Sequence, residues 1–153
     1  MEIDVQTIYF AGGCFWGVEE YFRRVSGVLE SSSGYMGGHV ENPDYYAVCD
    51  GDTGHAETVK VVFDKNVLSY QEILGRFFSI HDPTSLNRQG NDVGSQYRSA
   101  IFYTNDAQKK EINSMIAHLT QIKKFYDPIV TEVLEAKEFY LAEEHHQRYL
   151  EKR

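Results

Sequence analysis

The chain has 153 residues, 42% hydrophobic and 25% charged, a composition that excludes disorder and fits a single domain, residues 1–153, with a substantial core. A formal charge of -8 with no basic run argues against nucleic acid or an anionic membrane surface as a partner. Met1-Glu2-Ile3-Asp4 is acidic where an export signal carries positive charge and no apolar run could span a bilayer, so a cytoplasmic location is expected.

In chain order, Thr7-Ile8-Tyr9-Phe10 reads as a β-branched and aromatic strand that leaves through Gly12-Gly13. Phe15, Val18, Phe22 and Val25 recur at helical spacing, so a helix begins at or just past Cys14. Gly27-Val28-Leu29-Glu30 turns back toward a second strand running to about Gly34, and the polar stretch from there to His55 reads as loop. Val59 to Phe63 is a third strand, and Ser69-Tyr70-Gln71-Glu72 matches a capping box ahead of a helix with Ile73, Leu74, Phe77 and Phe78 on one face. Residues 81–97 lose periodicity, and a loop of that length in a compact domain is usually functional or disordered. A fourth strand (98–103), a helix bearing Ile112, Met115, Ile116 and Leu119, a short strand (129–134) and a polar tail helix from Ala142 to Arg153 complete the chain. The order predicts an α+β fold, a split βαβ (ferredoxin-like) sandwich with an added helix, strand and C-terminal helix.

Cys14 is one of two cysteines and precedes the only tryptophan. Two cysteines are too few for a disulfide scaffold and fit a reducing compartment. A free cysteine is commonly a small buried hydrophobe, but at a helix start Cys14 meets unpaired N–H groups and the positive dipole end, which favour thiolate. Eleven tyrosines and nine phenylalanines exceed what a small core needs. If both long loops reach the Cys14 end of the sheet, they bring Tyr35, Tyr45, Tyr46, His55, Glu57, Asp92, Gln96 and Tyr97 toward it.

Three chemistries fit Thr53-Gly54-His55-Ala56-Glu57. His-x-Glu opens the zinc deaminase signature, but Pro-Cys-x-x-Cys is missing and His145 and His146 are adjacent, so no metal is expected. Cys14 with His55 could form the pair of a cysteine hydrolase or acyltransferase, whereas Glu20 stands where a phosphatase loop needs arginine. Glu57, entering an apolar pocket near Phe15 and Trp16, would have its pKa raised into the range of a proton donor.

Gly13-Cys14-Phe15-Trp16-Gly17, Gly34-Tyr35-Met36-Gly37-Gly38, Gly54-His55-Ala56-Glu57 and His81-Asp82-Pro83 through Asn87 to Ser99 together resemble peptide methionine sulfoxide reductase A. The likeness runs in order from about Ile8 to Tyr149 and includes Ala142-Glu143-Glu144-His145-His146-Gln147. It implies that Cys14 attacks the sulfur of a methionine S-sulfoxide, free or in an oxidised protein, becoming a sulfenic acid. Glu57 would protonate the oxygen, Tyr45 and Tyr97 would hold it, Asp92 would order the polar side, and Phe15 and Trp16 would take the methyl group. No bound cofactor is implied; thioredoxin or a glutaredoxin-type thiol would restore the enzyme. The family commonly resolves the sulfenic acid with cysteines of a C-terminal extension; here direct reduction by the external thiol is expected, with Cys49, a position more often a buried thiol in the family, as the secondary candidate for a resolving residue. Leu141 stands where the family often has proline, with an expected effect only on entry to the last helix.

Overall fold

A computed structural model of the chain describes residues 3–147 and 149. The first strand, β1 (Val5–Ala11), alternates its side chains between two differently covered faces. Ile8 and Phe10 enter the larger core, while Tyr9 and Ala11 face a smaller one. Phe10 lies between Phe22 and Phe77, with ring centroids 4.9 and 4.5 Å away. Those two rings come from helices α1 (Phe15–Arg23) and α3 (Tyr70–Ser79), so one strand side chain unites both helices with the sheet.

The remaining sheet strands are β2 (Val28–Met36), β3 (Ala56–Asp64), β6 (Ala100–Tyr103), β7 (Glu132–Glu135) and β8 (Tyr140–Leu141), arranged β7-β6-β1-β3-β2-β8. Every pairing is antiparallel except β6 with β7. The α+β class expected from the sequence is what the chain adopts. Ser69 caps α3 as its motif predicts, accepting from the Glu72 N–H at 3.1 Å, and Asn105 does the same for α4 (Asp106–Gln121).

The opposite face of the sheet is covered by the segment around Ala136 and Phe139. Gly34 carries no side chain because a Cβ there would collide with the Phe139 ring and the Tyr140 carbonyl. Gly13 has φ 94°, a left-handed conformation that the sharp exit from β1 requires.

Three regions differ from expectation. The stretch to His55 contains a five-residue helix, α2 (Tyr45–Cys49), capped by Asp44, whose carboxylate accepts from the Ala47 N–H at 2.8 Å. Residues 81–97 hold a two-strand hairpin, β4 (Arg88–Gln89) with β5 (Asp92–Val93), and a 3-10 turn at Ser95–Tyr97. The tail departs most: in place of a surface helix from Ala142, residues Glu144–His146 form a single 3-10 turn with His146 buried. The rest of that expected helix, 148 and 150–153, lies outside the described residues. Leu141 does not lead into a helix; it lies in β8, opposite Gly34.

Phe10→Ala would open a cavity between three elements at once, and an expected loss of about 3–5 kcal/mol, read from denaturant unfolding, follows from large-to-small substitutions of this kind.

Candidate active site

β1 ends at Ala11, and after two glycines Cys14 becomes the N-cap of α1 in an extended conformation. Its sulfur lies within hydrogen-bonding reach of the Trp16 and Gly17 N–H groups, which pull its pKa down. They do not prevail. Burial, then the charge of Glu57, push the thiol up to about 12, so the resting residue is a thiol and not the thiolate expected from the helix start alone.

Glu57 is brought there by strand alternation. It shares a face of β3 with Val59, Val61 and Phe63, the face packed by the helices. Glu57 is 1% exposed; its Oε1 accepts from the Phe15 N–H at 3.1 Å, its Oε2 is buried with no hydrogen-bond partner among the described residues, and Cys14 lies beside it. Burial pushes the Glu57 pKa up to about 7, opposed by the Phe15 hydrogen bond and the neighbouring Cys14 and assisted by the charge of Asp92. A carboxyl poised there can hold a proton at neutral pH and give it up during a reaction.

The two loops supply the polar wall. Tyr45 opens α2 and Tyr97 closes the 3-10 turn, and both hydroxyls hydrogen-bond with the thiol of Cys49. Burial raises the pKa of each phenol, so each stays protonated and able to donate. Asp92 sits exposed on the β4-β5 hairpin, close enough for its charge to act on Cys14 and Glu57. Gln96 is buried and ties this turn to α2 by donating to the Cys49 carbonyl at 3.2 Å.

The aromatic wall starts with Trp16, whose ring stacks on Tyr149 at 3.9 Å and faces Tyr45 at 6.4 Å. Phe15 is wholly buried behind it, 5.6 Å from Tyr35 and 6.3 Å from Tyr45, so it backs the wall more than it forms its surface.

Two residues expected near Cys14 do other work. Tyr46 is 78% exposed. His55 has both ring nitrogens engaged: Nδ1 accepts from the Gly38 N–H at 3.0 Å and Nε2 donates to the Val40 carbonyl at 2.7 Å. It cannot serve Cys14 as a base, which removes the hydrolase or acyltransferase reading of that pair. His81 is likewise structural, donating from Nδ1 to the Phe77 carbonyl at 2.8 Å, with its pKa held down to about 4 by burial. Among the described residues no group of three His, Cys, Asp or Glu could hold a metal ion.

The sequence reading missed Glu143 and His146 as neighbours of the site. Glu143 accepts from the Tyr35 hydroxyl and the Tyr45 N–H, each at 3.1 Å, and His146 Nδ1 accepts from the Trp16 indole at 3.0 Å. Only the distance along the chain concealed them, since both lie in a motif already singled out. α2 was also missed, although Asp44 before Tyr45 is a helix-start signal.

A family model described as peptide methionine sulfoxide reductase matches residues 6–153. The chain belongs to this family. A peptide methionine sulfoxide reductase MsrA of Methanosarcina acetivorans is 54% identical over 94% of this chain and 77% of its own length. Among solved structures, methionine sulfoxide reductase A of Corynebacterium diphtheriae superposes with a TM-score of 0.91 at 38% identity, covering 97% of this chain and 75% of that one. Saccharomyces cerevisiae Mxr1 in complex with Trx2 gives a TM-score of 0.67 at 26% identity, covering 97% and 89%.

The buried carboxyl carries a stability cost that fixes a pH dependence. Between pH 4.5 and about 7 the folded chain holds a proton on Glu57 that the unfolded chain has released, so this residue's contribution to stability falls as pH rises through that window. A shift from 4.5 to about 7 corresponds to about 3 kcal/mol. Glu57→Gln is therefore expected to be more stable than wild type at pH 8, by up to about 3 kcal/mol, and to lose the advantage at pH 4.5; thermal melts at both pH values measure it.

Proposed function

We propose that the chain reduces methionine S-sulfoxide, free or in oxidised proteins, to methionine, and so repairs oxidised proteins. The observation that carries the reading is the placement of Cys14, at the start of α1, beside a buried carboxyl that accepts from the N–H of the next residue and whose pKa is pushed up to about 7. A sulfoxide presents one polar oxygen and an apolar methyl group on the same sulfur, and the site pairs phenols on one side with aromatic rings on the other.

In this mechanism the substrate oxygen accepts from Tyr45 and Tyr97, displacing their hydrogen bonds to Cys49, and the methyl group rests on Trp16 with Phe15 behind. Protonated Glu57 donates to the oxygen, which makes the sulfur electrophilic. Cys14 attacks as its own proton passes to the carboxyl, restoring the acid. Attack forms an S–S bond between Cys14 and the substrate sulfur; the hydroxyl then moves to the Cys14 sulfur as the S–S and substrate S–O bonds break, so that Cys14-SH plus sulfoxide gives Cys14-SOH plus methionine, with the thiol sulfur oxidised and the substrate sulfur reduced. Asp92, across the mouth, helps to keep Glu57 protonated.

The high pKa of Cys14 fits this order of events. Proton transfer accompanies attack, so no free thiolate is needed beside a charged carboxylate. No bound cofactor enters. The sulfenic acid is reduced directly by an external thiol of the thioredoxin or glutaredoxin type, which the Mxr1 complex with Trx2 supports by family likeness. Cys49, whose thiol pKa is raised by burial, is the weaker candidate for resolving it. A single domain acting in the cytoplasm fits this dependence on a reducing thiol pool.

The reading is tested with methionine S-sulfoxide and dithiothreitol. Wild type should form methionine, Cys14→Ser should form none, and kcat/KM should fall as pH rises above about 7 with the loss of the Glu57 proton. Glu57→Gln should be about 100-fold slower and lack that alkaline fall; turnover by Cys14→Ser would overturn the mechanism.

Peptide mapping after one turnover without reductant separates the recycling routes. A trapped sulfenic acid on Cys14 is expected, and abundant Cys14 to Cys49 disulfide would sink direct reduction.

A further inference from the structure

Two motifs remain without a chemical role in this mechanism: the strand segment containing Tyr35 and the C-terminal segment from Ala142 to Gln147. They meet each other, and together they meet both walls of the pocket.

The C-terminal segment is fastened to β2 as an added edge. Ala142 N–H donates to the Ser33 carbonyl at 2.9 Å. The Gln147 amide then closes on the same residue, its oxygen accepting from the Ser33 N–H at 2.8 Å and its nitrogen donating to the Ser33 carbonyl at 2.7 Å. Two side chains project from this frame. The Glu143 carboxylate joins the Tyr35 hydroxyl, on the strand position directly opposite Glu57, to the Tyr45 N–H at the start of α2. Burial pushes its pKa up, but hydrogen bonds from the backbone and from Tyr35 hold it below the ordinary value, so it remains an acceptor.

α2 has five residues, too few to be stable alone, so external anchors decide where Tyr45 stands. Asp44 caps the helix and Gln96 holds its last carbonyl, but neither ties Tyr45 to the sheet. Glu143 does. The His146 ring fills the space between Tyr45 and Trp16, with centroids 4.4 and 5.7 Å away, while its Nδ1 fixes the indole.

We propose that Glu143 and His146 are positioning residues for sulfoxide reduction: from one frame fastened to β2, Glu143 sets the phenol wall through Tyr45, and His146 sets the aromatic wall through Trp16. This rests on the reading in which Tyr45 holds the sulfoxide oxygen. A site gripping a polar oxygen and a methyl group on a single sulfur needs the spacing of its two walls held closely, because a displacement of about 1 Å can cost two orders of magnitude in rate.

A double-mutant cycle between Glu143→Ala and Tyr45→Phe tests it, with kcat and KM measured for methionine S-sulfoxide under excess dithiothreitol. Glu143→Ala should lower kcat/KM about tenfold in the wild-type background and less than twofold once the Tyr45 hydroxyl is gone. Glu143→Gln, which keeps one acceptor oxygen, should recover part of the loss. Tyr35→Phe removes only one bond to Glu143 and should give a smaller fall, and it replaces Glu143→Ala in the cycle if that variant does not fold. His146→Phe should raise KM and shift the emission of Trp16, the only tryptophan in the chain. Additive losses, or a Glu143→Ala enzyme with wild-type kcat/KM, would overturn the role of Glu143, and unchanged KM and emission in His146→Phe would overturn that of His146. Wild-type activity in Tyr45→Phe would instead overturn the oxygen-holding reading and the inference built on it.

Discussion

The site depends on one buried carboxyl placed under the start of one helix. Glu57 is the second residue of β3, and its Oε1 accepts the Phe15 N–H at the N-terminus of α1, next to Cys14. The carboxyl satisfies one of the unpaired N–H groups at the helix start, and in doing so is held beside Cys14. The same burial that costs the fold stability above neutral pH makes the carboxyl a usable proton donor. Stability and chemistry are set against each other in a single residue.

The thiol shows how competing effects are resolved by magnitude. The backbone N–H groups at the helix start favour thiolate, yet burial and a neighbouring carboxyl outweigh them. A thiolate next to an ionised Glu57 would place two negative charges in a poorly solvated pocket. The arrangement instead keeps both protons available until a substrate oxygen arrives to take one.

Around this pair the fold builds walls from segments far apart in sequence. α2, the β4-β5 hairpin and the 3-10 turn carry Tyr45, Asp92 and Tyr97, while the segment after β8 reaches back to Tyr45 and Trp16. None of these pieces is stable by itself. Each is held by side-chain bonds to the sheet or to its neighbour, such as Gln96 to the Cys49 carbonyl and Gln147 to Ser33.

The sequence by itself determined the regular framework: the β1 strand, the amphipathic faces of α1, α3 and α4, the Ser69 cap and the nucleophile at a helix start, because each is written in spacing over a few residues. Motif likeness also carried Cys14, Glu57, Tyr45 and Tyr97, which the fold gathers into one pocket. Tertiary structure alone decided that His55 is spent on Gly38 and Val40, that Tyr46 faces outward, and that Cys49 lies between the two phenols. It also decided that the tail folds inward, with Glu143 and His146 as its contacts, and that Cys14 rests as a thiol. These outcomes turn on burial and on tertiary partners, which for Glu143 and His146 lie 98 and 130 residues away, and neither quantity leaves a periodic trace along the chain.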